Sequence, residues 1–483
     1  MLSKKSPPNK GQDRSTALSA SGMASDTIAA IATAAGKGGI GIVRISGPGA
    51  QDIAHLLFRK RSGQQPATFQ PQFLYHGFIQ DPRTDRVLDE VLLVLMRGPH
   101  SYTREDVVEI QSHGGPQTLK AILSAVLHNG ARLAEPGEFT RRAFLNGRID
   151  LSQAEAVADI INARSEEALR LAVAQLQGGL TSKVQDIIDA ITHLIAEIEA
   201  GLEFPDDDLE ILETRSFQQA LDEKIIPAVQ QLIDSYQKGH FLRNGIRIVL
   251  AGRPNVGKSS LLNQLVGVER VIVTPIPGTT RDTVDAASMI GHLSAVFTDT
   301  AGIHQTDDPI EIIGIRRSEE SIQDADLVFF LVDATQPFNP EDCLVFRKLQ
   351  PKRVIIVVNK IDLVDSPLSF NVPHIFKEVP IVKVCATSGE GIQALKGFTL
   401  EMFSDNGFGA TNDIPLSDAR HKQCLDETLE HLIRAREAFE KRVPEDLISS
   451  DLQHAAEALK KVTGAQIATD VLDVIFEKFC IGK

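Results

Sequence analysis

The chain has 483 residues, of which 42% are hydrophobic and 24% charged, an ordinary globular composition that excludes wholesale disorder. At ~150 residues per domain, this length predicts roughly three domains. No run reaches the ~18 consecutive apolar residues of a membrane-spanning helix. The four cysteines form no CxxC pair, which argues against a disulfide framework or zinc ribbon and favours the cytoplasm. The net charge of −14 disfavours non-specific nucleic-acid binding, so an RNA partner would need a local basic patch or a second protein.

Hydrophobic patterning predicts a tail followed by two kinds of folded segment. Residues 1–25 are rich in Ser and Pro and read as a disordered tail, or as a start site placed upstream of Met23. Residues 26–143 mix strand-like runs (GIGIVRI, VLLVLM) with a helical stretch, which predicts an α+β domain. Residues 144–244 become helical, opened at Leu151 by an expected capping box of Ser152 and Glu155.

The rest of the chain is predicted to form an α/β segment followed by further helices. Residues 245–403 alternate apolar strands with helical segments, the pattern of a parallel α/β sheet. Residues 404–483 are amphipathic helix again. The simplest topology is one helical domain built from two chain segments, with the α/β domain inserted between them. Two independent helical bundles are the alternative.

A GxxxxGKS loop directly follows the strand IRIVLA and precedes a helical run, at residues 252–259. In this context the backbone N–H groups of such a loop surround phosphates at a helix N-terminus. Lys258 is expected to reach the β and γ phosphates and the Ser259 hydroxyl to bind Mg²⁺. By itself the loop leaves ATPases and GTPases both open.

Three further motifs select guanine. The DTAG motif at residues 299–302 follows one strand, NKID at residues 359–362 follows another, and Cys385-Ala386-Thr387 stands where GTPases usually have SAK. The Asp362 carboxylate can accept both guanine N–H donors, which adenine lacks. The Cys in place of Ser is expected to weaken the bracing of the loop and leave base choice intact. The residues expected to contact GTP are Asn255, Val256, Gly257, Lys258, Ser259, Ser260, Thr274, Thr279, Thr280, Asp299, Thr300, Ala301, Gly302, Asn359, Lys360, Asp362, Cys385 and Ala386.

The usual catalytic groups of GTPases are missing. Ile303 occupies the position after DTAG where a Gln commonly orients water, and Gln305 reads as a solvated loop residue. Glu311 could reach the γ-phosphate, or it could simply complement a helix dipole. Arg281 is a poor arginine finger because it follows Thr280, the expected switch ligand of Mg²⁺. A monovalent cation held by Asn255 and by carbonyls over residues 274–279 could supply the missing charge.

Taken together, GRPNVGKSS, TPIPGTTRD and the terminal FCIGK resemble the MnmE (TrmE) family of bacterial and mitochondrial tRNA-modification GTPases. The likeness covers about residues 26–483 and includes GKGGIGIVRISG and PGEFTRRAFLNGRIDLSQAEAV. It implies a multidomain α/β plus α fold: an α+β folate-binding domain, a discontinuous all-α domain and an inserted Ras-like P-loop G domain. It also implies homodimers through the N-terminal domains and K⁺-dependent pairing of G domains.

The resemblance carries specific residues onto this chain. Glu311 becomes the catalytic glutamate, Mg²⁺ falls to Ser259 and Thr280, and the K⁺ ligands would be Asn255, Thr274, Ile276 and Thr279. The folate contacts would be Arg44, Glu109, Arg148 and Lys483. Arg148 departs from the usual lysine and keeps its charge with a different geometry. Arg44 and Glu109 could instead be a solvated ion pair.

The family's chemistry requires a partner, so the resemblance also implies one here. That partner is the FAD-containing MnmG (GidA), which uses NADH. Together they place an aminomethyl or carboxymethylaminomethyl group on C5 of the tRNA wobble uridine, with a one-carbon unit from 5,10-methylene-tetrahydrofolate; 5-formyl-tetrahydrofolate is an analogue. Cys480 could be a nucleophile, or it could serve packing of the tail. The alternative function is a regulatory or ribosome-assembly GTPase switch.

Overall fold

The computed structural model describes residues 26–203, 214–267, 286–299, 322–349, 352–364, 373–376, 378–404 and 414–483. The predicted tail over residues 1–25 therefore lies outside the described residues. The described residues form two compact units, one within residues 26–154 and 467–483 and one within residues 155–466. The domain limits at 143, 244 and 403 stay a prediction. In the described part of the chain no helix is both long and apolar enough to cross a membrane.

The first unit is built on a seven-stranded sheet with the order β3-β4-β5-β6-β2-β1-β7. All neighbouring strands are antiparallel except β1 and β7, which are parallel. The strands are β1 Ile28–Ile31, β2 Ile40–Ser46, β3 Phe58–Lys60, β4 Leu74–Asp81, β5 Arg86–Met96, β6 Val107–His113 and β7 Arg132–Leu133. The helices are α1 Ala50–Leu57, α2 Pro116–His128, α3 Glu138–Leu145 and, from the end of the chain, Thr469–Phe476. The predicted α+β domain is confirmed.

Helices α1 and α2 cover one face of this sheet, whereas on the other face α3 packs through Phe139 against Ile28 and Ala30 of β1. Val43 and Ile45 of β2 and Leu93 of β5 are fully buried in a core shared with α1 and α2. Side chains alternate along a strand, so Arg44 and Leu92 point to the other face. There Leu74 and Leu92 remain 48% and 36% exposed. Over β4 and β5, this second face is therefore open and partly apolar.

Within the second unit lies a six-stranded sheet with the order β13-β12-β11-β8-β10-β9. Every pair is parallel except the β9–β10 hairpin. Residues of β11 and β12 are buried throughout, because a core covers both faces. The predicted α/β sheet is confirmed. Its strands are β8 Ile246–Ala251, β9 Ala286–Ile290, β10 Leu293–Asp299, β11 Leu327–Asp333, β12 Val354–Asn359 and β13 Ile381–Lys383, and its helices are Lys258–Val266, Pro340–Leu349 and Ile392–Ser404.

The helices of this unit come from both sides of the sheet segment. Before the sheet come α4 Leu151–Asn162, α5 Glu166–Leu176, α6 Gly179–Glu203, α7 Thr214–Gln219, a π-helical segment Ala220–Ile225, α8 Ile226–Asp234 and α9 Tyr236–Asn244. After the sheet come α13 Ala419–Glu440 and α14 Glu445–Thr463. The three helices between the strands are numbered α10 Lys258–Val266, α11 Pro340–Leu349 and α12 Ile392–Ser404. The last helix, Thr469–Phe476, is α15.

One hydrophobic core joins the helices that precede and follow the sheet. The predicted stripe of α6, including Val184 and Ile191, packs with Leu425 of α13 and Leu452 of α14. Helices from distant parts of the chain share this core, so they form one discontinuous helical domain. The alternative of two independent bundles is wrong.

The start of α4 differs from the predicted capping box. Asp150 is the residue that caps the helix: its Oδ1 accepts from the Gln153 N–H at 2.8 Å, and its own N–H donates to the Gln153 side chain at 3.0 Å. Ser152 donates its hydroxyl to the same Asp150 carboxylate. Glu155 instead lies buried, where it accepts from Arg420 and His421. The box is thus Asp150–Gln153, because tertiary charge partners take Glu155.

Candidate functional sites

The phosphate loop connects the end of β8 to the start of α10. Gly252, Asn255 and Gly257 have positive φ angles of 145°, 63° and 99°, which glycine adopts freely and Asn tolerates. A Cβ on Gly257 would lie 2.2 Å from Asn359 Nδ2. The loop backbone therefore packs directly against Asn359, and only glycine fits at position 257.

Lys258 begins α10 with its side chain folded over the loop. Its Nζ donates to the carbonyl oxygens of Gly252 at 2.9 Å and Arg253 at 3.0 Å. Ser259 and Ser260 follow in the exposed first turn of the helix. The first N–H groups of a helix lack intrahelical partners and attract anions. The arrangement fits a phosphate group, while the predicted Mg²⁺ role of Ser259 stays a prediction.

The base-recognition motif is tied to this loop. Asn359, at the end of β12, is 2% exposed and donates from Nδ2 to the Val256 carbonyl at 2.8 Å. Its Oδ1 accepts from the Ala386 N–H at 3.0 Å. A guanine O6 contact to Ala386 would therefore share or replace that bond. Asn359 thus connects the NKID motif to the phosphate loop and to the Cys385-Ala386-Thr387 segment.

Lys360 has a positive φ of 64° and donates to Oδ2 of Asp333 at 2.7 Å. Burial tends to raise the pKa of Asp333, but hydrogen bonds from Lys360 and Thr335 outweigh it and lower that pKa. Asp333 ends β11, which lies beside β12. This carboxylate orients Lys360, and the sequence reasoning missed it because an Asp after a strand carries no specific signal.

Asp362 and Cys385 also meet in the structure. The Cys385 thiol donates to Asp362 Oδ1 at 3.1 Å and lies 3.0 Å from the Thr387 hydroxyl oxygen. Hydrogen bonding from Ser388, followed by that from Thr387, lowers the pKa of the Cys385 thiol. Asp362 itself is exposed, so its carboxylate is open to a base.

The groups predicted to act at the γ-phosphate lie outside the described residues. They are Thr274, Ile276, Thr279, Thr280, Thr300, Ala301, Gly302 and Glu311, together with Arg281, Ile303 and Gln305. Asp299 ends β10, and only its backbone is described. Among the described residues, no group of three or more His, Cys, Asp or Glu side chains could hold a metal ion. The K⁺ ligands, both Mg²⁺ ligands and the catalytic glutamate stay predictions.

In the first unit, Arg44 and Glu109 form an ion pair across β2 and β6. Arg44 Nε lies 2.8 Å from Glu109 Oε1, and the two side chains are 16% and 17% exposed. The ion pair of the alternative interpretation therefore exists, but it is largely shielded from solvent. The two residues lie in register on adjacent strands, on the face that α3 partly covers, with the Arg44 guanidinium carbon 5.6 Å from the centre of the Phe139 ring.

Tyr102 joins this pair to Arg148. The guanidinium carbon of Arg44 lies 5.5 Å from the centre of the Tyr102 ring, and that of Arg148 lies 4.7 Å from it. The Tyr102 hydroxyl lies 2.9 Å from Thr140 Oγ1. A guanidinium on an aromatic face is a favourable cation–π contact. Sequence reasoning missed Tyr102, since nothing in its spacing relates it to two distant arginines.

The C-terminal tail completes the cluster. Ile481 pairs with Pro136, and Gly482 has a φ of 95° at a position where a Cβ would lie 2.3 Å from the Ile31 carbonyl oxygen. Arg44 Nη1 donates to the Gly482 carbonyl at 3.4 Å. The tail is therefore held against Arg44 through Gly482, and Lys483 is the next residue along the chain.

Cys480 lies in the same packed tail. Its side chain is exposed, and its carbonyl accepts from the Gly137 N–H at 3.4 Å. Phe479, the residue before it, is 8% exposed. The tail is packed through Phe479 and through the Cys480 backbone, whereas the exposed Cys480 thiol takes no visible part in this packing. Neither of the two roles considered for Cys480 is tested.

The phosphate loop lies between the parallel strand β8 and helix α10, and the Asn-Lys-x-Asp motif begins at the end of β12 in the same sheet. This combination defines a P-loop GTP hydrolase. Residues 27–148 match the family described as GTP-binding protein TrmE N-terminus, and residues 151–480 match that described as MnmE helical domain.

Curated relatives extend these matches over nearly the whole chain. The proteins named tRNA modification GTPase MnmE of Geotalea uraniireducens and Moorella thermoacetica are each 43% identical, over 459 and 465 residues, and cover 95% of this chain and 99% and 100% of the relative. That of Alkaliphilus oremlandii is 40% identical over 463 residues, 95% of this chain and 99% of the relative. The chain belongs to the MnmE family of tRNA modification GTPases.

Proposed function

We propose that this chain is the K⁺-activated GTPase subunit of a cytoplasmic enzyme that modifies the wobble uridine of certain tRNAs. The FAD-containing partner, MnmG (GidA), would use NADH, and the product would carry an aminomethyl or carboxymethylaminomethyl group at C5. The observation that carries this proposal is the coexistence of two sites in one chain. A guanine-nucleotide site stands in the second unit, and a cationic and acidic cluster stands in the first.

The nucleotide site supports binding of GTP by the groups already described. Backbone N–H groups of residues 252–258 and the Lys258 ammonium would hold the phosphates. Asp362 would accept both guanine donors, and Asn359 would hold the base loop against the phosphate loop. Mg²⁺, at Ser259 and Thr280, would neutralise phosphate charge.

For hydrolysis, we propose that K⁺ bound by Asn255, Thr274, Ile276 and Thr279 supplies the charge of an arginine finger. Asn255 has a left-handed backbone and is exposed, so its side-chain oxygen is open to a cation beside the phosphates. Glu311 would orient the attacking water in place of the Gln that Ile303 replaces. Pairing of two G domains would bring these groups together.

The cluster of the first unit suits a reduced folate. Glu109 can accept from the donors of a pterin edge, whereas Arg44, Arg148 and Lys483 suit the glutamyl carboxylates. Two guanidinium groups on the Tyr102 ring create a local concentration of positive charge in an acidic protein. Because the Arg148 guanidinium lies over this ring, the departure from lysine is compensated by an aromatic contact that favours arginine. A bound 5,10-methylene-tetrahydrofolate would supply the one-carbon unit.

A homodimer fits the open face of the seven-stranded sheet. That face carries the exposed Leu74 and Leu92 beside the Arg44–Glu109 pair. Burial of such an apolar face against a second copy would remove apolar surface from water. It would also enclose the folate cluster. Contact with tRNA would be shared with the partner, since the chain has a net charge of −14.

The alternative, a regulatory or ribosome-assembly switch, has no use for a folate cluster. The discriminating experiment is mass spectrometry of wobble nucleosides in tRNA from a strain that lacks this gene. We expect loss of the C5 modification and its return with the parent gene. Genes carrying Lys258→Ala or the pair Arg44→Ala and Glu109→Ala should each fail to restore it. Unchanged nucleosides in the deletion strain would favour the switch.

A further inference from the structure

Arg253, the second residue of the phosphate loop, has a buried partner. Its Nε lies 2.8 Å from Asp342 Oδ1, and its Nη1 donates to Gln336 Oε1 at 3.2 Å. The Asp342 side chain is 1% exposed and that of Arg253 14%. A carboxylate so deeply buried needs a cation beside it, since an unpaired buried charge is costly. The phosphate loop thus carries the charge that compensates Asp342.

Asp342 is itself held rigidly in the first turn of α11. Its Oδ2 accepts from the Asn339 N–H at 3.0 Å, and its N–H donates to Asn339 Oδ1 at 3.0 Å. This is a reciprocal capping arrangement. Because Oδ1 is left for Arg253, one carboxylate connects the loop to the helix terminus. The guanidinium is therefore anchored to a rigid element.

The loop needs anchors because of its shape. The φ of 63° at Asn255 is uncommon for a residue with a side chain, and the freely rotating Gly252 and Gly257 leave the loop backbone to be ordered by its surroundings. At one end the loop is held by Asn359, which bonds to Val256. At the other end, the side chain of Arg253 is bound while its carbonyl accepts from Lys258.

We infer that Asp342 is a positioning residue of the nucleotide site and acts through Arg253. Its carboxylate holds the first half of the phosphate loop in the shape that aims backbone N–H groups at the phosphates. Preorganised donors bind without an ordering cost at the moment of binding. The inference rests on the nucleotide site of the proposed function and adds a residue that never touches the nucleotide.

The test compares full-length variants by titration with a fluorescent GDP analogue and by steady-state GTP hydrolysis. Arg253→Gln and Asp342→Asn should each weaken nucleotide binding by about tenfold or more, the scale of a charge-assisted hydrogen bond. KM should rise by a similar factor while kcat stays within about twofold. The double variant should bind no more weakly than whichever single variant has the lower affinity, because each single substitution already removes the same Arg253–Asp342 interaction. Arg253→Lys, which keeps the charge, should recover part of the affinity.

Asn339→Ala is the matched control, because it removes a cap of α11 and leaves the Arg253–Asp342 pair in place. It should lower the melting temperature with little effect on nucleotide affinity. Unchanged affinity in Arg253→Gln would overturn the inference, as would an equal loss of affinity in Asn339→Ala. If Asp342→Asn fails to fold, the comparison of Arg253→Gln with Arg253→Lys decides by itself. A parent protein that fails to bind GDP would instead refute the nucleotide site, and with it the proposed function.

Discussion

The thiol of Cys385 lies 3.1 Å from Oδ1 of Asp362 and donates to it. Cys385 is 1% exposed, so this contact is shielded from water although Asp362 faces solvent. The carboxylate that is proposed to recognise guanine is therefore positioned by a hydrogen bond from a buried thiol. Where most GTPases have a serine hydroxyl, this chain uses a weaker donor in the same position.

We predict that Cys385→Ser will bind GTP at least as tightly as the parent, whereas Cys385→Ala will bind it more weakly. Loss of one hydrogen bond of modest net value should cost ~0.5–1.5 kcal/mol, or roughly 2- to 12-fold in affinity. Fluorescent nucleotide titration measures the difference. Equal affinity in the alanine variant and the parent would show that the thiol does not position Asp362.

Asp362→Asn should weaken GTP binding and relax base choice towards xanthine nucleotides. An amide presents a donor where guanine requires an acceptor, and a mismatched buried pair costs about 1–3 kcal/mol, roughly 5- to 150-fold. Competition between GTP and xanthosine triphosphate in the variant provides the measurement. A variant that keeps the parent's affinity for GTP would contradict guanine recognition by this carboxylate.

Hydrolysis should depend on K⁺ and on Glu311. Glu311→Ala should leave GTP affinity near that of the parent and reduce kcat by about 10²- to 10⁴-fold, the usual contribution of a group that acts on the attacking water. Gln305→Ala is the control and should hydrolyse GTP normally. In the parent, replacement of K⁺ by Na⁺ should slow hydrolysis severely, because the smaller ion cannot reach all its ligands. A rate indifferent to the cation would refute the K⁺ mechanism.

Folate binding should require the tail and tolerate lysine at position 148. Deletion of residues 479–483 should lower the affinity for 5-formyl-tetrahydrofolate, because it removes Lys483 and the Gly482 carbonyl that Arg44 contacts. Nucleotide affinity should not change. Arg148→Lys should bind more tightly than Arg148→Ala, since it keeps the charge although it loses the guanidinium that lies over the Tyr102 ring. Calorimetric titration decides, and undiminished binding after the deletion would exclude a role for the tail.

Acid should weaken the helical domain through Asp418. Burial pushes the pKa of this carboxyl up, but the charges of His421 and Arg243 outweigh burial and lower the pKa from 3.8 to about 2. Because the pKa is depressed in the folded state, the stabilisation is complete above the unfolded value and is lost as the pH falls towards the folded value. A depression of this size corresponds to about 2.5 kcal/mol.

Asp418→Asn tests this expectation. Asparagine can still cap α13, where Asp418 Oδ1 accepts from the Arg420 N–H, so the substitution removes mainly the charge. Hydrogen-exchange protection in α13 should differ by about 2 kcal/mol between parent and variant at pH 6–7. This difference should shrink as the pH is lowered towards 3. A difference that is constant with pH would assign the effect to packing.

Local patterns in the sequence predicted most of the architecture. Continuous apolar runs identified β8, β11 and β12, because strands covered on both faces are apolar throughout. The period of α6 identified its buried stripe, and the GxxxxGKS spacing placed the phosphate loop between a strand and a helix. Each of these signals arises within a few residues, where backbone geometry and side-chain spacing are directly coupled.

Contacts between distant residues could not be predicted in this way. Glu155 has the spacing of a capping residue, yet in the structure it is hydrogen-bonded to Arg420 and His421 of α13. The partnership of Asp342 with Arg253 and the contact of Tyr102 with Arg44 and Arg148 leave no mark on local sequence. Such interactions depend on which strands and helices become neighbours.

The sequence by itself thus determined the elements of this protein, the guanine-nucleotide motifs and the family to which they point. Only the tertiary structure decided that the tail closes against Arg44 and that the phosphate loop is held by a carboxylate of α11. The physical reason is that hydrophobic periodicity and loop motifs are local, whereas the pairing of buried charges depends on distances set after the chain has folded.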